Sequence, residues 1–243
     1  MPDLPPRRAA RTSGARPIIG RLSPAIKALL IAQAVIYAIF LLVRPLRPLM
    51  EAHLAVGPGL FAGEYWQLAT GIFLHLDPTT FLWNVVGLWW AGADVERAQG
   101  TRRMVALFLV GGVLTNLAYA AVDRYVFGTG SIFGGSSFAV LTLIVAFGRI
   151  YGRTPMSIFG AFSVQARYIS IALVGWYVVM ALAGPVVSWP SLAATATATV
   201  VGYFLGVPGG LEALWDALKL RRLRRRYRVI DGGAGRPPKK YVN

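Results

Sequence analysis

Residues 133–148 read FGGSSFAVLTLIVAFG: a glycine pair, a serine pair, then an uncharged apolar run ending in glycine. Alone, so short a run suits a buried helix, a strand or a short membrane segment. The rest of the chain decides. Its 243 residues hold 25 Lys and Arg against 10 Asp and Glu, a formal net charge of +15, yet only 14% are charged and 56% are hydrophobic. A soluble domain carries about 25% charged residues, and here the charges are confined to a few segments between long uncharged runs. The composition is that of a multi-span membrane protein. Disorder is excluded by the apolar content, and the lack of cysteine excludes a Cys-based metal site or disulfide framework.

A membrane helix needs about 20 mainly apolar residues. Working outward from 137–147, which is short for a span, the other candidates are 26–43, 81–93, 104–121, 169–187 and 192–207. Six spans put both termini on one side. All Lys and Arg except Arg44, Arg47 and Arg124 then fall on that side, which the positive-inside rule makes cytoplasmic. The first loop, about 44–79, is long and faces outward. The first apolar run is too long for a signal peptide and ends in Val43-Arg44-Pro45-Leu46, with no small-residue cleavage site. The expected fold is therefore an all-α integral membrane bundle of six transmembrane helices with a long outer first loop. Its divisions are a flexible basic cytoplasmic N-terminus (1–24), the membrane domain (25–210), and a basic amphipathic helix with a cytoplasmic tail (211–243). The basic helix is expected to meet anionic lipid, and no nucleic-acid partner is expected.

Polar groups are costly at membrane depth, so they mark where function is sought. Three clusters qualify: 64–84, EYWQLATGIFLHLDPTTFLWN; 133–148; and 195–206, TATATVVGYFLG, whose small residues and paired glycines permit close helix packing. Each has a plainer explanation. His75 could be an interfacial residue, Ser136 and Ser137 could be helix N-caps after a Gly-Gly turn, and Gly202-x3-Gly206 could serve packing alone.

Taken together, in order and spacing, these residues resemble the rhomboid family of intramembrane serine proteases across roughly 26–210. That family has Trp-Arg in the first loop, His-x4-His-x3-Asn at the second span, Glu-x3-Gly after it, Gly-x-Ser-Gly opening the fourth span and His-x2-Gly-x3-Gly in the sixth. This chain has Trp66-Gln67, His75-x4-Thr80-x3-Asn84, Glu96-x3-Gly100, Gly135-Ser136-Ser137-Phe138 and Thr199-x2-Gly202-x3-Gly206. The run Phe138-Ala139-Val140-Leu141 tracks the family best with Ser137 at the nucleophile position, although Ser136 in that role is a second possible register.

The resemblance implies a serine protease scaffold, and the substitutions imply a defective one. A serine hydroxyl needs an adjacent base, and the family's base position is Thr199, which cannot take a proton. Of the oxyanion region, His75 and Asn84 are kept while the second histidine is Thr80. Phe138, where the family has glycine beside the serine, adds bulk where a substrate backbone would approach, and Leu141 replaces a usual aromatic at the site. The chain thus resembles a rhomboid pseudoprotease of the bacterial inner membrane, expected to bind the transmembrane helix of a client between the second and fifth spans, near Trp176 and Met180, without cofactor or metal. The alternatives are an active endopeptidase using Ser137 with an unidentified base, and a channel or transporter; against the latter, the span centres carry no Asp, Glu, Lys or Arg.

Overall fold

The computed structural model describes residues 22–158, 162–183 and 188–210. The chain divides into two compact units, Met1–Val207 and Pro208–Asn243, and the helix bundle lies in the first. The expected basic helix, its tail and nearly all of the N-terminal segment fall outside the described residues.

Among the described residues, six rods fall at the six expected spans. The first is α1 (Pro24–Leu42), capped by Ser23, whose Oγ accepts from the Ile26 amide at 3.2 Å. Its buried residues Ile26, Gln33, Tyr37 and Phe40 recur at helical spacing, so one stripe faces the bundle. Loop 1 follows with two short helices, α2 (Arg47–His53) and α3 (Gln67–Thr70), and a 3-10 turn at Pro58–Ala62 between them. The second rod is α4 (Pro78–Gly87), a π-helical turn at Leu88–Gly92, and α5 (Ala93–Gln99). It runs past both ends of the expected 81–93. The third is α6 (Thr101–Val122), prolonged by a π turn at Asp123–Phe127. The last three are α7 (Ser137–Ile150), α8 (Ala166–Leu182) and α9 (Trp189–Leu205).

Among the described residues, only α1 and the rod Thr101–Phe127 are long and apolar enough to cross a membrane by their own length; α7 and α8 are apolar but shorter. The reason for the short α7 is its place. It packs against α4, α6, α8 and α9, and every residue from Phe138 to Gly148 is buried. A helix apolar all round belongs inside the bundle, where its length is set by its neighbours rather than by lipid.

Glycines let α9 approach it. A Cβ on Gly202 would stand 2.5 Å from the Thr142 carbonyl oxygen and 2.8 Å from Val145 Cβ. This is the close packing expected of Gly202 and Gly206.

One element was not expected: β1 (Pro155–Ile158) pairs antiparallel with β2 (Phe162–Gln165) between α7 and α8. Met156-Ser157-Ile158 and Phe162-Ser163-Val164-Gln165 do alternate apolar with polar residues, but over no more than four positions each, the shortest run that marks a strand.

Candidate functional site

The site forms where α7 begins. Gly135 holds φ at +118°, a conformation that disfavours any side chain, and turns the chain into the helix. A Cβ on it would come within 3.6 Å of His75, Asn84 and Thr80, so the glycine lets the turn lie directly on them. Loop 1 holds this turn in place. Val56 and Phe133 exchange two backbone hydrogen bonds at 2.8 Å, Gly135 N–H donates to Gly71 O at 2.8 Å, and Asn116 Nδ2 on α6 donates to Leu68 O at 2.9 Å.

Loop 1 itself is organised by Gln67, which stands where the family's arginine is expected. It is fully buried and every polar atom is used: Oε1 accepts from Gly57 N–H (3.1 Å), and Nε2 donates to Ala52 O (2.9 Å) and Glu64 Oε2 (2.8 Å). The amide is thus satisfied on both its oxygen and its nitrogen, as a buried polar group requires. Trp66 Nε1 donates to His53 O at 2.9 Å.

His75 is the centre of the polar cluster. It is fully buried, caged edge-on by Phe81 and Tyr37, and Ser136 N–H donates to its Nε2 at 3.4 Å. A backbone N–H can only donate, so Nε2 carries a lone pair and the ring proton sits on Nδ1, facing Phe73 O at 3.3 Å. Burial suits this neutral form and lowers the His75 pKa to about 4, against the smaller opposing effects of Phe73 O and Asp77. The same lone pair orients Asn84, whose Nδ2 donates to His75 Nε2 at 3.1 Å and to Ser137 Oγ at 3.0 Å. Both amide protons are spent, and the Ser137 hydroxyl receives a hydrogen bond instead of giving one to a base.

Ser136 occupies the N-cap position of α7 without capping it; its hydroxyl turns to α1 and donates to Gln33 Oε1 at 3.2 Å. It is fully buried, whereas Ser137 opens onto a cavity. Thr80 helps to cap α4, its amide donating to Asp77 Oδ1 at 2.8 Å. Burial alone would raise the Asp77 carboxyl, but hydrogen bonds from Thr80 and Thr79, with His75 nearby, hold it below the usual range. Thr199 is turned to its own helix, its hydroxyl donating to Thr195 O at 2.8 Å.

Phe138 corrects an expectation. Its ring does not line the cavity; it is buried with Leu141 against Ala194 and Ala198 of α9, because those small residues leave room for it beside the start of α7. Leu141 is fully buried in the same cluster.

The cavity, about 690 Å³, lies between the α4 rod and α8 with α7 as its floor. Thr79, Thr80, Asn84 and Ser137 give its wall a polar patch, while Trp83, Trp90, Ile144, Leu173, Trp176 and Met180 make most of the rest apolar. Trp83 and Trp176 are more than half exposed. Tyr177 also lines it, and its hydroxyl donates to Ser137 O at 3.3 Å.

His75, Thr80, Asn84, Ser137, Trp176 and Met180 thus belong to one site, and Thr199 makes no hydrogen bond to it. Sequence reasoning missed Gln33 and Tyr177. Gln33 had a signal: it is the lone amide within the apolar 26–43, at the depth where polar groups are scarce.

A family model described as the Rhomboid domain matches residues 62–211. The chain is 34% identical over 74 residues to the Rhomboid protease GluP of Bacillus subtilis (strain 168), a stretch covering 30% of this chain and 15% of that protein. It is 28% identical over 134 residues to the Putative rhomboid protease YdcA of the same organism, covering 52% of this chain and 65% of the relative. The matched stretches span less than two thirds of either relative.

Proposed function

Because this chain belongs to the rhomboid family, whose members are integral membrane proteins, we propose that it is a pseudoprotease that holds a client's transmembrane helix in the groove between α4 and α8 without cutting it. One observation carries the reading: the Ser137 hydroxyl accepts from Asn84 Nδ2 at 3.0 Å, while the side chain at the base position, Thr199, bonds its own helix. A serine that receives a proton donor and lacks a base is not a nucleophile. The groove, by contrast, is intact. It opens between two rods, and its walls are mainly apolar, with polar groups from Thr79, Thr80, Asn84, Ser137 and Tyr177.

In this reading both termini are cytoplasmic and loop 1 lies outside, supported by the placement of all but three Lys and Arg. The bacterial relatives favour a plasma membrane. Both are named as proteases, so the competing activity is serine endopeptidase cleavage within the membrane.

Labelling of the purified protein with a serine-reactive fluorophosphonate, beside an active rhomboid, separates the two. The pseudoprotease reading expects no labelling above background. Robust labelling that vanishes in Ser137→Ala overturns it in favour of the peptidase.

A further inference from the structure

The cluster at the start of α7 leaves two hydrogen-bonding atoms over. Asn84 spends both amide protons, on His75 Nε2 and Ser137 Oγ, and its Oδ1 has no partner among the described residues. Ser137 Oγ accepts from Asn84, and no hydrogen bond from its own proton is found among those residues. Both side chains line the groove. An unused acceptor and an unused donor therefore sit side by side in a mainly apolar channel. The arrangement is fixed from behind: Ser136 N–H makes His75 Nε2 an acceptor, His75 makes Asn84 present its NH₂, and Asn84 Oδ1 must face the other way.

A carboxamide is the group that fits such a pair. Its carbonyl accepts from Ser137 Oγ–H while its N–H donates to Asn84 Oδ1. A carboxylate has no proton for Asn84 Oδ1 and would set its negative charge against that oxygen's partial one, and an ammonium would leave the Ser137 proton unmet. Backbone amides of an intact helix are already paired, so the group comes from a side chain. We infer that Asn84 and Ser137 recognise an Asn or Gln side chain on the client's transmembrane helix, at the depth of the start of α7. This rests on the helix-holding reading, and it gives that reading a selectivity readable in the client's sequence.

The test uses the full chain in nanodiscs with a photo-crosslinking residue at Trp176. The probes are single-span Leu/Ala helices carrying Leu, Asn, Gln, Asp or Gly-Gly at successive positions of the half nearer loop 1. Interhelical hydrogen bonds in membranes average roughly a threefold effect each. The expected result is capture of the Asn and Gln helices about tenfold over Leu at one depth, Asp below both, with the advantage falling about threefold in Ser137→Ala. Cooperative thermal unfolding of that variant within about 4 °C of wild type shows that the fold is kept. Equal capture of Leu and Asn helices overturns the carboxamide proposal while leaving helix holding in place. Preference for Gly-Gly points to unwound backbone and overturns it too, as does an undiminished Asn preference in Ser137→Ala. Capture of no helix at all overturns the helix-holding reading itself.

Discussion

Asn84 Nδ2 lies 3.0 Å from Ser137 Oγ and 3.1 Å from His75 Nε2, so one amide group joins the second rod to the start of the fourth through a buried histidine. Losing that amide removes the shorter of the hydrogen bonds to His75 Nε2, leaving it Ser136 N–H, and the bond that Ser137 Oγ accepts. Asn84→Ala is expected to cost about 2–3 kcal/mol, and Ser137→Ala no more than about 1. A double-mutant cycle in detergent should give a coupling of roughly 0.5–2 kcal/mol between them. Strict additivity would show that the Asn84–Ser137 bond is not made.

The neutral His75 makes stability depend on acidity. Its folded pKa, about 4, lies below the ordinary 6.5, so from pH 6.5 down to 4 the unfolded chain binds the proton first. Stability is therefore full above 6.5, falls through that window, and is lower by about 3 kcal/mol at its end. Asp77, the charged neighbour, is depressed below 3.8 and so withdraws its contribution only below that pH. Unfolding midpoints measured from pH 7 to pH 4 check this, and His75→Gln should flatten the slope.

Gln67 is expected to be the most sensitive position of loop 1. Gln67→Leu strands the Gly57 amide, the Ala52 carbonyl and Glu64 together, and a loss of about 2–4 kcal/mol is predicted. Limited proteolysis of loop 1, faster in the variant than in wild type, would report the same loosening locally.

Two glycines make a matched pair. Gly202→Ala drives a methyl onto the Thr142 carbonyl and Val145 and should cost about 1–3 kcal/mol. A Cβ on Gly175 of α8 would meet nothing within 4 Å, so Gly175→Ala should be neutral or stabilising by up to about 1 kcal/mol. Thermal shifts of opposite sign are the expected result.

Rebuilding a protease must leave Phe138 alone. The glycine of the family's motif is unsuitable here, because Phe138→Gly empties a packed cluster against Ala194 and Ala198 and should cost about 3–5 kcal/mol or more. Thr199→His with Thr80→His, keeping Phe138, is the variant expected to stay folded, and its fluorophosphonate labelling measures how much of the base is restored.

The spans were legible because apolar runs separated by charges are a strong signal; even the unusual shortness of α7 showed in 137–147. The landmark residues were legible through their spacing. What was not legible depends on contacts far apart in sequence. Ser136 reads as an N-cap after a Gly-Gly turn, yet its hydroxyl goes to Gln33 on the first rod. Phe138 reads as an obstacle to substrate until the alanines of α9 are seen to receive it. That Gln67 would organise loop 1 could not be read from its position, since its three partners come from Ala52, Gly57 and Glu64.

The π turn at Leu88–Gly92 has a consequence for how this rod tolerates change in length. A π turn holds one residue more than the α-helix that would replace it, and each residue turns a helix by about 100°. Deleting a residue there would leave a regular helix of nearly the same span, still able to enter the bilayer. It would also keep Asn84 in phase with Glu96, because the extra residue is what the wider turn absorbs, whereas the same deletion in the regular helix on either side would swing the two apart by more than a quarter turn. A one-residue deletion within Leu88–Gly92 should therefore spare the polar cluster, while one elsewhere between Asn84 and Glu96 should break it, so this turn is where the rod can shorten.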